Sequence, residues 1–322
     1  MMKKIVVALV VVFIVAWVWN LVIYDVELLS TPELSTEREN TVEKIFPSKP
    51  DLPEVDKSQP IKTLVSEDSL TSEASDGTCA DKYQSRPEWK EIEAIISSIY
   101  MNGEEAAGQG VYQQMPVDAV KSYADAGDET ALLHYGSEVM WKAAFGIYLN
   151  QINRNPNDAR EELKKRVKQH RPNLDAFYTG ADYAYRAAVK GKLGGIMEVS
   201  SMSRGLLRRV IRSDMSMEDV KTVLIKRHAY LNLMQTIHTN DAELLLFFSG
   251  KDELEEDLGV IFEGKAQDDF LVATLKEEIA SESEKLLEQW GNDRARLGLP
   301  QYPDVIPERL ELLLSNMERE CG

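Results

Sequence analysis

Few residues in this 322-residue chain stand at spacings that support chemistry. His134 and Glu138 are four apart in a stretch of helical periodicity. That spacing puts an imidazole and a carboxylate on one helix face, the beginning of a metal site or an acid–base pair. A metal normally takes three or four ligands, and the four histidines and two cysteines are scattered. The pair therefore reads as an ordinary helix-face contact, and no metal or cofactor is expected. His228 and His238 have no acid clustered beside them and read as structural, and His170, next to Arg171, reads as a polar helix end. The nucleophile elbow GxSxG, the zinc motif HExxH, a Walker phosphate loop and CxxC are absent from the sequence. Gly108-Gln-Gly110 lacks the preceding strand that a dinucleotide fingerprint requires. No catalytic residue is assigned. The enzymatic alternative is an all-α hydrolase of the cell envelope with Glu138 or Asp182 among its acids, although no spacing selects them.

Two further groups invite a functional reading. Arg204, Arg208 and Arg212 recur every fourth residue with Arg209 beside them, a basic stripe in an acidic protein. Such a stripe can take an anionic partner, either an acidic peptide segment or lipid headgroups. It can equally pair internally with Asp252, Glu253, Glu255, Glu256 and Asp257, or be a solvated face, and exposed charge runs usually are. The only two cysteines, Cys79 and Cys321, bracket the last three quarters of the chain. In an oxidising compartment they are expected to form one disulfide, the alternatives being an intermolecular bridge or two free thiols.

These residues must be positioned by elements that composition and pattern already limit. The chain carries 37 Lys and Arg against 54 Asp and Glu, for a net charge of −17. No nucleic-acid binding is expected of such a surface, because it does not displace counterions from phosphates. Residues 5–24 read IVVALVVVFIVAWVWNLVIY. As a helix this segment is about 30 Å long, the thickness of the bilayer core. Lys3 and Lys4 precede it while Asp25 and Glu27 follow it, which keeps residues 1–4 cytoplasmic and exports the rest. A cleaved signal peptide is the competing reading; the length of the apolar run and the lack of a small-x-small site favour an uncleaved, single-pass anchor in the inner (cytoplasmic) membrane. Residues 25–78 hold thirteen acids, five bases and five prolines with no periodic apolar face. They are expected to form a disordered, self-repelling tether.

Residues 79–322 are expected to be all-α. Trp89, Ile92, Ile95, Ile96 and Ile99 recur at helical spacing, as do Leu132, Tyr135, Val139 and Ala143. Pro87, Pro116, Pro156, Pro172 and Pro307 are each expected just inside a helix start, Asn155 as a cap, and Asn240 with Glu243 as a reciprocal cap. Leu310, Leu313, Leu314 and Met317 mark a terminal helix. Small residues repeat too: Ala124, Gly127 and Ala131 are matched 64 residues later by Ala188, Gly191 and Gly195. The spacing predicts a helical hairpin, with a small residue where the first helix ends, a left-handed glycine in the turn and a second small residue where the next helix packs back.

These motifs resemble the Sel-like repeat family, relatives of the tetratricopeptide repeat. Tyr100-Met-Asn-Gly103 and Gly108-Gln-Gly110-Val111 are similar to the family's Tyr-x-x-Gly-x-Gly-Val loop, with a five-residue insertion. Ala124, Gly127, Ala131 and Tyr135-Gly136 are similar to its Ala-x-x-Gly-x-x-x-Ala-x-x-x-Leu-Gly core. The likeness covers about residues 95–200, and the second copy lacks the aromatic–glycine pair. An Ala/Gly-rich antiparallel bundle produces similar spacings by packing alone. The resemblance implies stacked helix hairpins used as a protein-binding scaffold. The expected function is accordingly a membrane-anchored extracytoplasmic scaffold for envelope proteins, the alternatives being the hydrolase above and a self-associating structural module. No motif encodes the partner's identity or the oligomeric state.

Overall fold

The computed structural model describes residues 79–100, 110–149, 160–239, 253–262 and 268–321. The proposed anchor and tether, Gly103, Gly108, Asn155, Pro156, Asn240 and Glu243 lie outside them. Among the described residues there are eleven α-helices and no strand. In chain order they are α1 (Cys79–Gln84), α2 (Pro87–Tyr100), α3 (Val117–Asp125), α4 (Glu129–Phe145), α5 (Arg160–Gln169), α6 (Leu174–Val189), α7 (Gly194–Arg212), α8 (Met217–Ile237), α9 (Glu253–Ile261), α10 (Asp269–Arg296) and α11 (Glu308–Cys321). No described helix is long and apolar enough to cross a membrane.

Short polar side chains start the helices. Asp128 turns its carboxylate onto the Ala131 amide, 2.8 Å away, and Asn173 does the same for Ala176 at 3.0 Å. Ser216 and Asp219 form a reciprocal capping box at the head of α8, and Asp268 accepts from the Phe270 and Leu271 amides at the head of α10. Pro87 is the first residue of α2, as expected. Pro116 and Pro307 instead stand one residue before α3 and α11, and Pro172 two before α6. Their carbonyls explain the shift at the first two, since Pro116 O accepts from Ala119 and Pro307 O from Leu310, the work of a cap residue.

The 64-residue offset reappears in the backbone. Gly127 (φ 92°) and Gly191 (φ 124°) take the left-handed conformation in the turns leading into α4 and α7. The Gly127 amide reaches the Ala124 carbonyl and the Asp128 amide that of Tyr123; likewise Gly191 reaches Ala188 and Lys192 reaches Ala187. This pair of bonds closes a Schellman end. The same pair closes α7 at Asp214 (φ 49°) and α10 at Gly298, so the turn itself is a general device of this chain.

What sets α4, α6 and α7 apart is how closely they lie. Helix α4 runs antiparallel to α6, with Gly136 against Gly180 and Ala184, and Met140 against Gly180. A Cβ on Gly136 would stand 2.7 Å from the Gly180 carbonyl oxygen, and one on Gly195 would overlap the Ala184 carbonyl. Helix α7 then turns back on α6, and α8 on α7, each with a short connection.

Two apolar cores are threaded by the same central helices. The first joins α3, α4, the start of α6, the end of α7 and the start of α8, with Leu132, Trp141, Phe177, Leu206, Val210 and Leu224 among its buried side chains. The second joins α1, α2, the end of α8 and the C-terminal part of α10 to α11, through Trp89, Ile92, Leu233, Trp290, Leu310 and Met317. Replacing Gly195 by Ala is expected to lower stability by about 2–3 kcal/mol through overpacking. Gly191→Ala, with nothing within 4 Å of the new Cβ, is expected to cost only about 1 kcal/mol of left-handed strain. Urea unfolding of the two variants checks the order; equal losses would show that helix spacing is not the constraint.

Candidate functional site

Helix α7 carries the arginines of the basic stripe, and the fold separates them. Arg209 is buried and donates from one guanidinium nitrogen to the Val167 carbonyl (2.6 Å) and the His170 carbonyl (2.7 Å), at the end of α5. It supplies donors to carbonyls that a helix end leaves unsatisfied. Arg204 reaches Glu256 of α9 at 2.7 Å. Arg208 is half-buried and Arg212 is exposed on the same helix. Arg209 therefore has partners inside the fold, and Arg204 has one in the acid run considered in the sequence.

The densest polar arrangement lies beneath that run. Arg227 of α8 is 1% exposed. Its Nε donates to Asp257 Oδ2 at 2.7 Å, its Nη1 to the carbonyl (3.2 Å) and hydroxyl (3.1 Å) oxygens of Ser200, and its Nη2 to Glu253. His228 Nε2 shares Asp257 Oδ2 at 2.9 Å. Burial alone would raise the Asp257 carboxyl; the hydrogen bond from His228 and the charge of Arg227 outweigh it and hold the group below the ordinary carboxylate value. The network seats α9 on α7 and α8, with Leu258 entering the first core below it. No acid stands near His228 in the sequence. Asp257, 29 residues on, becomes its neighbour only through the fold.

Of the other candidate groups, the histidines and Glu138 are wholly or partly buried, and Asp182 is exposed. His134 and Glu138 share one face of α4 and are both buried, with His134 Nε2 3.9 Å from a Glu138 oxygen. Burial lowers the His134 imidazole to about 4. Ser137, between them, donates to Glu198 of α7 at 2.6 Å; burial raises the Glu198 carboxyl against the effect of that bond. Asp182, the other proposed acid, is exposed on α6, 3.9 Å from Arg186. His238 is fully buried with Nε2 2.7 Å from the Tyr100 hydroxyl, and burial lowers it to about 4 although a backbone bond opposes the shift. His170 closes the helix end assigned to it, its Nε2 2.9 Å from the Ala143 carbonyl. Among the described residues no group of three or more His, Cys, Asp or Glu stands close enough to hold a metal.

Eight of the ten proposed repeat-turn residues lie within the described residues. Ala124, Ala131, Gly136, Ala188, Gly195 and Gly110 are buried, while Gly127 and Gly191 form the turns. Cys79 and Cys321 are joined as a disulfide with Cα atoms 5.4 Å apart. Residues that sequence reasoning passed over are Arg227, Ser200 and Glu198. Glu198 carried a signal, a charged residue among the apolar Ile196, Met197 and Val199, whereas Arg227 stands between Lys226 and His228 and carried none.

Asp257→Ala is expected to cost about 3–5 kcal/mol, because it removes the buried carboxylate paired with a buried guanidinium. Glu256→Gln, at the exposed pair with Arg204, is expected to cost below about 1 kcal/mol. Comparable losses in chemical denaturation would refute the division. The buried imidazoles set a pH dependence. His134 and His238 take up protons near pH 4 when folded and near 6.5 when unfolded, so the unfolded chain binds more protons between those values and stability falls on acidification. Two such groups give a slope of up to about 2.7 kcal/mol per pH unit. Asp257, whose folded value lies lower than its ordinary one, keeps its contribution through that window and loses it only at still lower pH. Denaturation midpoints that stay level from pH 6.5 to about 4.5, or a His238→Gln variant with undiminished slope, would contradict this assignment. Comparison of the chain with protein families, with curated proteins and with solved structures returned no match.

Proposed function

We propose that the chain is a membrane-anchored, extracytoplasmic helical scaffold that binds proteins of the cell envelope. Residues 5–24 hold it in the inner membrane, residues 25–78 carry the body away from the surface, and the helix hairpins, similar to Sel-like repeats over about residues 95–200, form the binding body. The observation that carries this reading is the Cys79–Cys321 bond, which fastens the body at the residue where the tether ends. Disulfides persist in oxidising compartments and are rare in the cytosol, so the bond supports export. The equivalent turns at Gly127 and Gly191, each followed by a close-packed small residue, support the hairpin reading. Some interior polar groups pair across helices, as Arg227 with Asp257 and Ser137 with Glu198, which fits a body held rigid for binding.

Two measurements on the full chain test the proposal. A C-terminal alkaline phosphatase fusion is expected to be active and a C-terminal fluorescent protein fusion dark; the reverse pattern would place the body in the cytosol. Cross-linking in living cells is expected to join residues 79–322 reproducibly to envelope proteins. Those products should survive exchange of residues 5–24 for an unrelated anchor and vanish when residues 79–322 are replaced. Products that follow the anchor instead would remove the scaffold role.

A further inference from the structure

The helices that begin and end the described chain meet. Cys79 opens α1 and Cys321 lies in α11, 242 residues later. Cys79 is exposed and Cys321, half-buried, packs against the second core, so a thiolate can approach the bond from the Cys79 side. The ion pairs that fasten these ends are exposed as well: Lys82 lies 3.6 Å from Glu320, and Arg309 of α11 meets Glu91 of α2. Exposed pairs of this kind stabilise little. Beneath them Leu310, Leu313, Leu314 and Met317 cover the second core beside Tyr83, Trp89 and Ile92. The far end of α2 is held separately, by the Tyr100–His238 contact and by Lys192 donating to the Ser98 carbonyl at 2.8 Å.

We propose that the Cys79–Cys321 bond is a redox clasp whose opening by a dithiol releases α1 and α11 from the second core while the central helices stay folded. One thiolate of the dithiol attacks a sulfur of the bond, breaking it and forming a mixed disulfide. The second thiol of the reagent then displaces the chain's sulfur. Two electrons and two protons pass to Cys79 and Cys321, which become thiols, and the dithiol becomes a disulfide. In an envelope the reductant class is a two-cysteine oxidoreductase. The bond closes nearly the whole described chain into a loop, so its loss returns more freedom to the two ends than that of any single side-chain contact between them. The clasp does not depend on the anchor or on any binding partner.

Hydrogen exchange of the full chain in detergent micelles, before and after dithiothreitol without denaturant, tests this. The bond is expected to be reduced under these native conditions. Amides of α1 and α11 are then expected to exchange about tenfold faster or more, with those of α4, α6, α7, α8 and the Tyr100 end of α2 unchanged. The double variant Cys79→Ser with Cys321→Ser is expected to show the same fast amides with or without dithiol. A bond that resists dithiol until the chain is denatured would overturn the clasp. So would unchanged exchange in α1 and α11 after verified reduction, or loss of protection in every helix together.

Discussion

The distance between α4 and α6 is the constraint on which the rest of the architecture is built. Two helices whose facing residues are glycine and alanine can approach until backbone meets backbone, as Gly136, Gly180 and Ala184 do. At that separation dispersion contacts run along the backbones, and there is no room for even one added methyl group without displacement. Gly195 extends the arrangement to α7, which leans on the Ala184 carbonyl. Once three central helices are fixed this closely, the larger side chains are forced outward into the two cores. Trp141, Phe145 and Phe177 go one way, and Tyr185, Val189 and Ile196 the other.

A second regularity concerns how a strongly acidic protein uses its cations. Several do not face acids at all. Arg209 donates to the last carbonyls of α5, Arg294 to the Val189 and Pro300 carbonyls, Lys190 to the Gly127 carbonyl and Lys192 to that of Ser98. Helix C-termini present unpaired carbonyls and the negative end of the dipole, so a cation there satisfies hydrogen bonds and charge together. Arg227 follows the other course, set between Asp257 and Glu253, and it fastens a short helix that buries little apolar surface of its own.

Features carried by local periodicity were legible in the sequence. The Trp89–Ile92 face of α2, the Leu310–Met317 stripe of α11 and the left-handed turns at Gly127 and Gly191 follow from spacing, and the cysteine pairing followed from compartment and position. Features that depend on distant partners were not. The arginines of α7 read as one stripe, yet Arg209 is one residue out of step with the others, and that rotation of about 100° turns it inward onto α5. The acid of His228 lies across a segment whose path no local rule specifies. Proline marked helix starts to within one or two residues, because the residue before a helix and the first within it both tolerate a missing amide hydrogen.

The meeting of α1 with α11 also has a topological consequence. With residues 79 and 321 side by side, the first and last described helices could be joined directly and the chain opened in a connection elsewhere, as in circular permutation, without stretching the fold. The starts of α8 and α10, which carry the exposed Met217 and Phe270, border the first core, whereas the helices joined by the disulfide border the second.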